Sequence, residues 1–135
     1  MEKYTEMLKE KKISPSVQRL KILEYLDINR VHPTVEEIFA AIREEIPILS
    51  KMTVYNTLKL FAANGLVKSI PTSDNKGHYD YNTSPHTHFK CRQCKRVFDI
   101  DVDYDLHLKS GLEGLKVLEH NLIFEGICQD CRRDG

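Results

Sequence analysis

The chain has 135 residues, 41% of them apolar, which suits one ordinary domain or two small ones with packed cores. Its 20 basic and 20 acidic residues cancel, so net charge makes no case for a nucleic-acid partner and only the placement of charges can. No run approaches the roughly 18 apolar residues of a membrane span, and Met1-Glu2-Lys3-Tyr4-Thr5-Glu6 lacks the apolar core of a secretory leader. We expect a cytoplasmic protein with no membrane partner, in which thiols stay reduced.

Tyr4, Met7 and Leu8 form a weak helical stripe among Glu and Lys, predicting a short, mostly solvated first helix that stops at Ile13-Ser14-Pro15. Ser16 caps a second helix with Val17, Leu20, Leu23 and Leu26 on one face, running to about Asn29. Thr34 and Glu37 make a capping box for a third, whose face of Val35, Ile38, Phe39, Ile42 and Ile46 reaches Pro47. Ser50 caps a fourth, which buries Val54, Leu58, Phe61 and Ala62 and stops at Asn64-Gly65. Lys51, Thr53, Tyr55, Asn56 and Lys59 remain for its outer side.

Leu66–Ile70 and His78–Asn82 flank a turn-rich stretch and predict a β-hairpin, with Tyr79 and Tyr81 on one face and His78, Asp80 and Asn82 on the other. Helices followed by a two-stranded wing predict a winged helix-turn-helix in which the fourth helix reads DNA. Charge placement agrees: no acidic residue lies between Glu45 and Asp74, while Lys51, Lys59 and Lys68 lie inside that interval. Lys11, Lys12, Arg19, Lys51 and Lys59 are candidates for phosphate contacts, Tyr55 for thymine methyls and Asn56 for base edges or phosphate. Residues 83–85 read as a hinge between a DNA-binding domain, 1–82, and a second domain, 86–135.

In that second domain we expect strands at His88–Lys90, Arg96–Ile100, Leu115–Leu118 and Leu122–Ile127, with a short helix at Tyr104–Leu112. About fifty residues make a poor core, so a staple is needed. Two C-x-x-C knuckles, Cys91/Cys94 and Cys128/Cys131, supply a four-thiolate site suited to structural zinc. His86 and His88, at i and i+2 on an extended strand, face one way and are not needed by that site, which predicts a second metal. Asp99, Asp101, Asp103 and Asp105 form an acidic run beside them that would gather cations. His78 and His107 read as surface residues.

The order of parts closely resembles the ferric uptake regulator superfamily of dimeric, metal-dependent bacterial transcription factors. The resemblance is carried by Gln18-Arg19, Ile22-Leu23-Glu24-Tyr25-Leu26, His32-Pro33-Thr34, Thr53–Leu58, Gly65-Leu66-Val67, the His86-x-His88 pair and both cysteine knuckles. It implies an α+β chain: an N-terminal winged helix and a small C-terminal α/β dimerisation domain with a four-cysteine zinc site. Peroxide-responsive repressors are the most similar members. Their three histidines and two aspartates fall on His32, Asp80, His86, His88 and Asp99, which implies a regulatory Fe(II) or Mn(II) site. Iron-responsive members more often carry glutamate at those two acidic positions. Their further metal site has ligands where Pro85 and Thr87 stand here, although His120 matches one of its ligands.

The resemblance further implies that iron in this site reduces peroxide and that His32 or His86 is oxidised. Metal is then lost and a palindromic duplex operator released, whereas manganese supports binding but reacts poorly. Two carboxylates with no thiol suit iron or manganese better than zinc. Five ligands drawn from both halves would couple metal loading to the spacing of the two reading helices in a homodimer. The competing expectations are an iron- or other metal-responsive repressor on the same fold, a small metalloenzyme, and a thiol switch that ejects zinc. More than half the chain is given to a helix-turn-helix, which argues against an enzyme.

Overall fold

The computed structural model describes residues 1–73, 77–81, 83, 87–100, 110–116, 118 and 122–134. It divides into two units, Met1–Ser84 and Pro85–Gly135.

The first unit holds four helices, α1 (Glu2–Glu10), α2 (Val17–Ile28), α3 (Val35–Ile42) and α4 (Lys51–Ala63), then strands β1 (Lys68–Ile70) and β2 (His78–Asp80). Local chemistry starts three of the helices where the sequence reading places them. Ser16, Thr34 and Ser50 accept from the backbone N–H three residues on, and Glu37 returns a bond to the Thr34 amide to complete the box. The core joins Leu8 of α1 to Ile22, Leu23 and Leu26 of α2, Ile38 of α3, and Val54, Leu58 and Phe61 of α4. Val17 stays outside it, 67% exposed, and Ile22 takes the inward position on α2. The third helix stops at Ile42, four residues short of its apolar stripe, and Ile46 packs from the turn that follows.

Asp27 binds α2 to α1. It accepts from Tyr4 Oη at 2.7 Å and from Arg30 Nη2 at 2.7 Å. Arg30 first, then Tyr4, hold its carboxyl down at about 2, while the bond to Asp27, reinforced by burial, pushes the Tyr4 phenol up to about 12.

Strands β1 and β2 pair antiparallel, Ser69 opposite Tyr79. The other edge of β2 is also occupied: Thr34 bridges His78, and Tyr79 N–H donates to Pro33 O at 3.0 Å. The wing is therefore sewn to the segment leading into α3. Both faces of β2 are buried, so His78, expected on the surface, is 4% exposed.

The second unit is built on β3 (Thr87–Cys91), flanked by β4 (Val97–Ile100) and β5 (Ile123–Gly126). β3 pairs antiparallel with β4 and parallel with β5. Alternation puts Phe89 and Cys91 on one face and His88 and Lys90 on the other. A six-residue helix, α5 (Gln129–Asp134), carries Cys131 where the sequence showed only a knuckle. The strand expected at Leu115–Leu118 does not form at its described residues, and Leu115 and Leu118 are 64% and 83% exposed. Their apolar character had suggested a strand, but neither finds a pairing edge or a core. The helix expected at Tyr104–Leu112 falls outside the described residues except for a 3-10 turn at Ser110–Leu112.

Candidate metal centres and nucleic-acid surface

Cys91 ends β3, Cys94 follows in the turn, and Cys128 and Cys131 stand before and within α5. The knuckle closes because Lys95 N–H returns to Cys91 O at 2.9 Å, with Lys95 at φ 70°, and because Lys90 Nζ donates to Lys95 O at 2.9 Å. All four sulfurs lie within 4.8 Å of one another and none is in a disulfide. A zinc ion holding thiolates at roughly 2.3 Å in a tetrahedron sets sulfur–sulfur edges of roughly 3.8 Å. Cys91 Sγ to Cys131 Sγ is 3.7 Å, and Cys94 Sγ to Cys128 Sγ is 3.8 Å. The cluster fits structural zinc.

The surroundings treat the thiols differently. Burial opposes ionisation of Cys91, yet backbone N–H groups of Cys94 and Cys128, each at 3.4 Å, outweigh it and bring the thiol down to about 5. Arg96 lowers Cys94, whereas burial, with the neighbouring thiols, pushes Cys131 up to about 12. A site that stabilises some thiolates and crowds another is one that a divalent cation would complete.

Two imidazole–carboxylate pairs stand apart from the cysteines, one in each unit. In the first unit His32 Nε2 is 3.4 Å from Asp80 Oδ2, with the side chains 6% and 5% exposed. His32 adopts φ 57°, a left-handed conformation uncommon for a residue with a Cβ. Its carbonyl accepts from His78 Nδ1 at 2.7 Å, which fixes the proton on that nitrogen. In the second unit His88 and Asp99 face each other across the β3–β4 register, Nε2 to Oδ1 at 3.3 Å. Ligand atoms around one divalent ion sit roughly 3.0 to 3.4 Å apart. Each pair has the spacing of two ligands on one ion. His86, Asp101, Asp103, Asp105, His107 and His120 lie outside the described residues.

His78 carried no ligand signal in the sequence, and its role depends on a strand pairing 46 residues distant in the chain. Replacing it with phenylalanine keeps the shape but leaves the His32 carbonyl without this donor. Stability of the Met1–Ser84 unit should fall by about 1–3 kcal/mol, read from urea unfolding followed by helical circular dichroism; an unchanged midpoint would contradict this tie.

On α4, Lys51, Asn56 and Lys59 are exposed and Tyr55 is 47% exposed. Arg19, on α2, is partly buried and donates from Nη1 to Ser14 O at 2.8 Å. Ser14, Ser16, Gln18, Arg19, Thr53, Asn56, Thr57 and Leu60 line a cleft of about 410 Å³ between the starts of α2 and α4. Donors and hydroxyls line it, and no carboxylate does.

Four helices with a two-stranded wing define the winged-helix class of DNA-binding fold, and this chain adds a thiolate knuckle that fits zinc. The model of the ferric uptake regulator family matches residues 10–125. The peroxide operon regulator of Bacillus subtilis (strain 168) is 37% identical over 131 residues, covering 95% of this chain and 90% of that protein. The peroxide-responsive repressor PerR of Staphylococcus saprophyticus is 33% identical over 118 residues, covering 85% and 80%. Among solved structures, PerR from Streptococcus pyogenes is 30% identical with a TM-score of 0.55, covering 96% of this chain and 91% of that one. The Helicobacter pylori ferric uptake regulator shares the fold at a TM-score of 0.75 and 20% identity, covering 97% and 90%. The chain belongs to the ferric uptake regulator family, whose members are dimeric, metal-responsive DNA-binding repressors.

Proposed function

We propose that this protein is a cytoplasmic, homodimeric repressor that binds a palindromic operator when loaded with Fe(II) or Mn(II) and releases it after peroxide oxidises His32 or His86. Residues 1–82 would bind DNA, 83–85 act as the hinge, and 86–135 dimerise and hold zinc through Cys91, Cys94, Cys128 and Cys131. The regulatory ion would be held by His32 and Asp80 from the first domain and by His86, His88 and Asp99 from the second.

The observation that carries this reading is the pair of imidazole–carboxylate couples at 3.4 and 3.3 Å, both using aspartate and neither using a thiol. Two donors hold a divalent ion weakly, so either couple alone is half a site. Hard carboxylates beside imidazole suit iron and manganese. Similarity to the Bacillus and Staphylococcus peroxide regulators favours peroxide as the signal. No helix among the described residues is long and apolar enough to cross a membrane.

Each residue then has a role. Bound ferrous iron would activate peroxide beside the imidazoles by lending it one electron that the ring being oxidised gives back, so both electrons come from the ring overall. His32 or His86 takes up one oxygen atom on its ring carbon, its ring hydrogen and the second peroxide oxygen leaving in water. An oxidised ring is a poorer donor, so the ion would be held less tightly. The event happens once per molecule, which makes it sensing and not catalysis. On DNA, Lys51 and Lys59 of α4 would neutralise phosphates with Arg19, while Tyr55 and Asn56 of the same helix reach base edges.

Fluorescence anisotropy with a labelled palindromic duplex tests the coupling. Binding should need Mn(II) and weaken steeply with salt, the slope falling by about two for each of Lys51 and Lys59 replaced by alanine, one per protomer of the dimer. Equal affinity with and without metal would remove the regulatory reading.

A further inference from the structure

We propose that Arg96 is a clamp that shields the zinc thiolates from the oxidant this protein senses. This rests on the zinc and peroxide readings above and concerns a residue that ligates no metal.

Of the four cysteines only Cys94 is exposed, so it is the sulfur that peroxide reaches first. Arg96 Nε donates to that sulfur at 3.2 Å, shorter than the 3.4 Å contacts that Cys91 Sγ accepts from the Cys94 and Cys128 amides. Nη2 of the same guanidinium reaches Cys128 Sγ at 3.6 Å. One planar cation therefore spans both knuckles. It is fixed in turn by Asp130 Oδ2 at 3.2 Å and lies 5.0 Å from the centre of the Phe98 ring. A lysine could supply the charge but not this fork.

Four thiolates around Zn(II) carry a net double negative charge, and one guanidinium halves it. On zinc every ligating sulfur is already a thiolate, so donation from Arg96 adds no ionised fraction and only draws density from the lone pair that attacks an oxidant. The reaction held back has two steps. The Cys94 sulfur attacks one peroxide oxygen, breaking the O–O bond, forming a sulfenic acid and releasing hydroxide. The Cys128 sulfur, 3.8 Å away, then displaces the second hydroxide and forms a disulfide. Two electrons pass from sulfur to peroxide, two protons from solvent turn the hydroxides to water, and a site with two ligands lost gives up its zinc. Slowing this chemistry leaves peroxide to the histidine site, where it is to be read.

The test uses full-length zinc-loaded protein, free of iron and manganese, with R96Q and R96K beside the wild type. Zinc released by peroxide into a colour-forming chelator should appear about tenfold faster from R96Q, with R96K between the two. Alkylation of Cys94 by iodoacetamide should rank the same way. Equal peroxide-driven release from all three would overturn the proposal. So would zinc loss from R96Q that is as fast without peroxide, since Arg96 would then only support the fold. Wild-type protein isolated without one zinc per chain sinks the zinc reading itself. Histidines left intact in iron-loaded wild type sink the peroxide reading while the reactivity order still stands.

Discussion

Cys128→Ser should unfold the Pro85–Gly135 unit and leave Met1–Ser84 folded. The asymmetry follows from where the apolar mass lies. Helices α1 to α4 share a core that includes Leu8, Ile22, Leu23, Leu26, Ile38, Leu58 and Phe61, all of them almost wholly buried. Among the described residues of the second unit, the core cluster is Cys91, Cys128 and Cys131 with Phe89 and Phe98 packed against them. Its buried centre is the cysteine cluster itself. Structural zinc in small domains contributes on the order of 10 kcal/mol, more than a unit of this size gains from apolar burial alone. Losing the Cys128 thiolate also leaves β5 and α5 held to β3 by the β3–β5 ladder and Cys131. Amide hydrogen exchange should show β3, β4 and β5 near the unprotected limit in C128S, with protection in α2 and α4 retained. A zinc chelator strong enough to strip the wild type should reproduce the pattern. Protection surviving in β3 and β5 without metal would mean the sheet stands unaided.

His32→Asn and Asp80→Asn should each weaken Mn(II)-dependent operator binding by at least about 100-fold, beyond the 10- to 100-fold typical of residues that merely orient a ligand. Asparagine is the informative choice at His32, because φ there is 57° and asparagine tolerates that region. The variant thus removes the imidazole without adding backbone strain. At Asp80 the change removes a charge at an unaltered volume from a side chain 5% exposed and 3.4 Å from His32 Nε2, so unfolding of the unloaded protein, measured beside operator binding, separates a lost ligand from a lost buried pair. Full metal-dependent binding by either variant would place the regulatory ion elsewhere.

What the sequence made legible was local. Ser16, Thr34 and Ser50 act on amides three residues away, so their caps could be read directly and the helix starts followed. The cysteine spacing was legible because a C-x-x-C turn places two thiols on one ion whatever surrounds it. What escaped depends on distant pairing. The burial of His78 follows from β2 being paired on one edge with β1 and on the other with Pro33 and Thr34. A strand read alone by alternation has one wet face, and this one has none. The left-handed backbone of His32 leaves no mark in residue type. Arg96 looked like any strand-edge cation, and its reach to Cys128 and Asp130 exists only once the second knuckle is folded against the first. The Leu115–Leu118 reading failed for the converse reason, since apolar character without an edge to pair with makes no strand.

The most direct measurement is peptide mass spectrometry on protein loaded with Fe(II) or with Mn(II), exposed to low peroxide and assayed in parallel for operator binding. The iron form should gain the mass of one oxygen atom on the peptide carrying His32 or His86 and lose DNA binding. The manganese form should show neither change. Intact histidines in the iron form, with metal-dependent binding that survives peroxide, would contradict peroxide sensing and leave a repressor that reports metal alone.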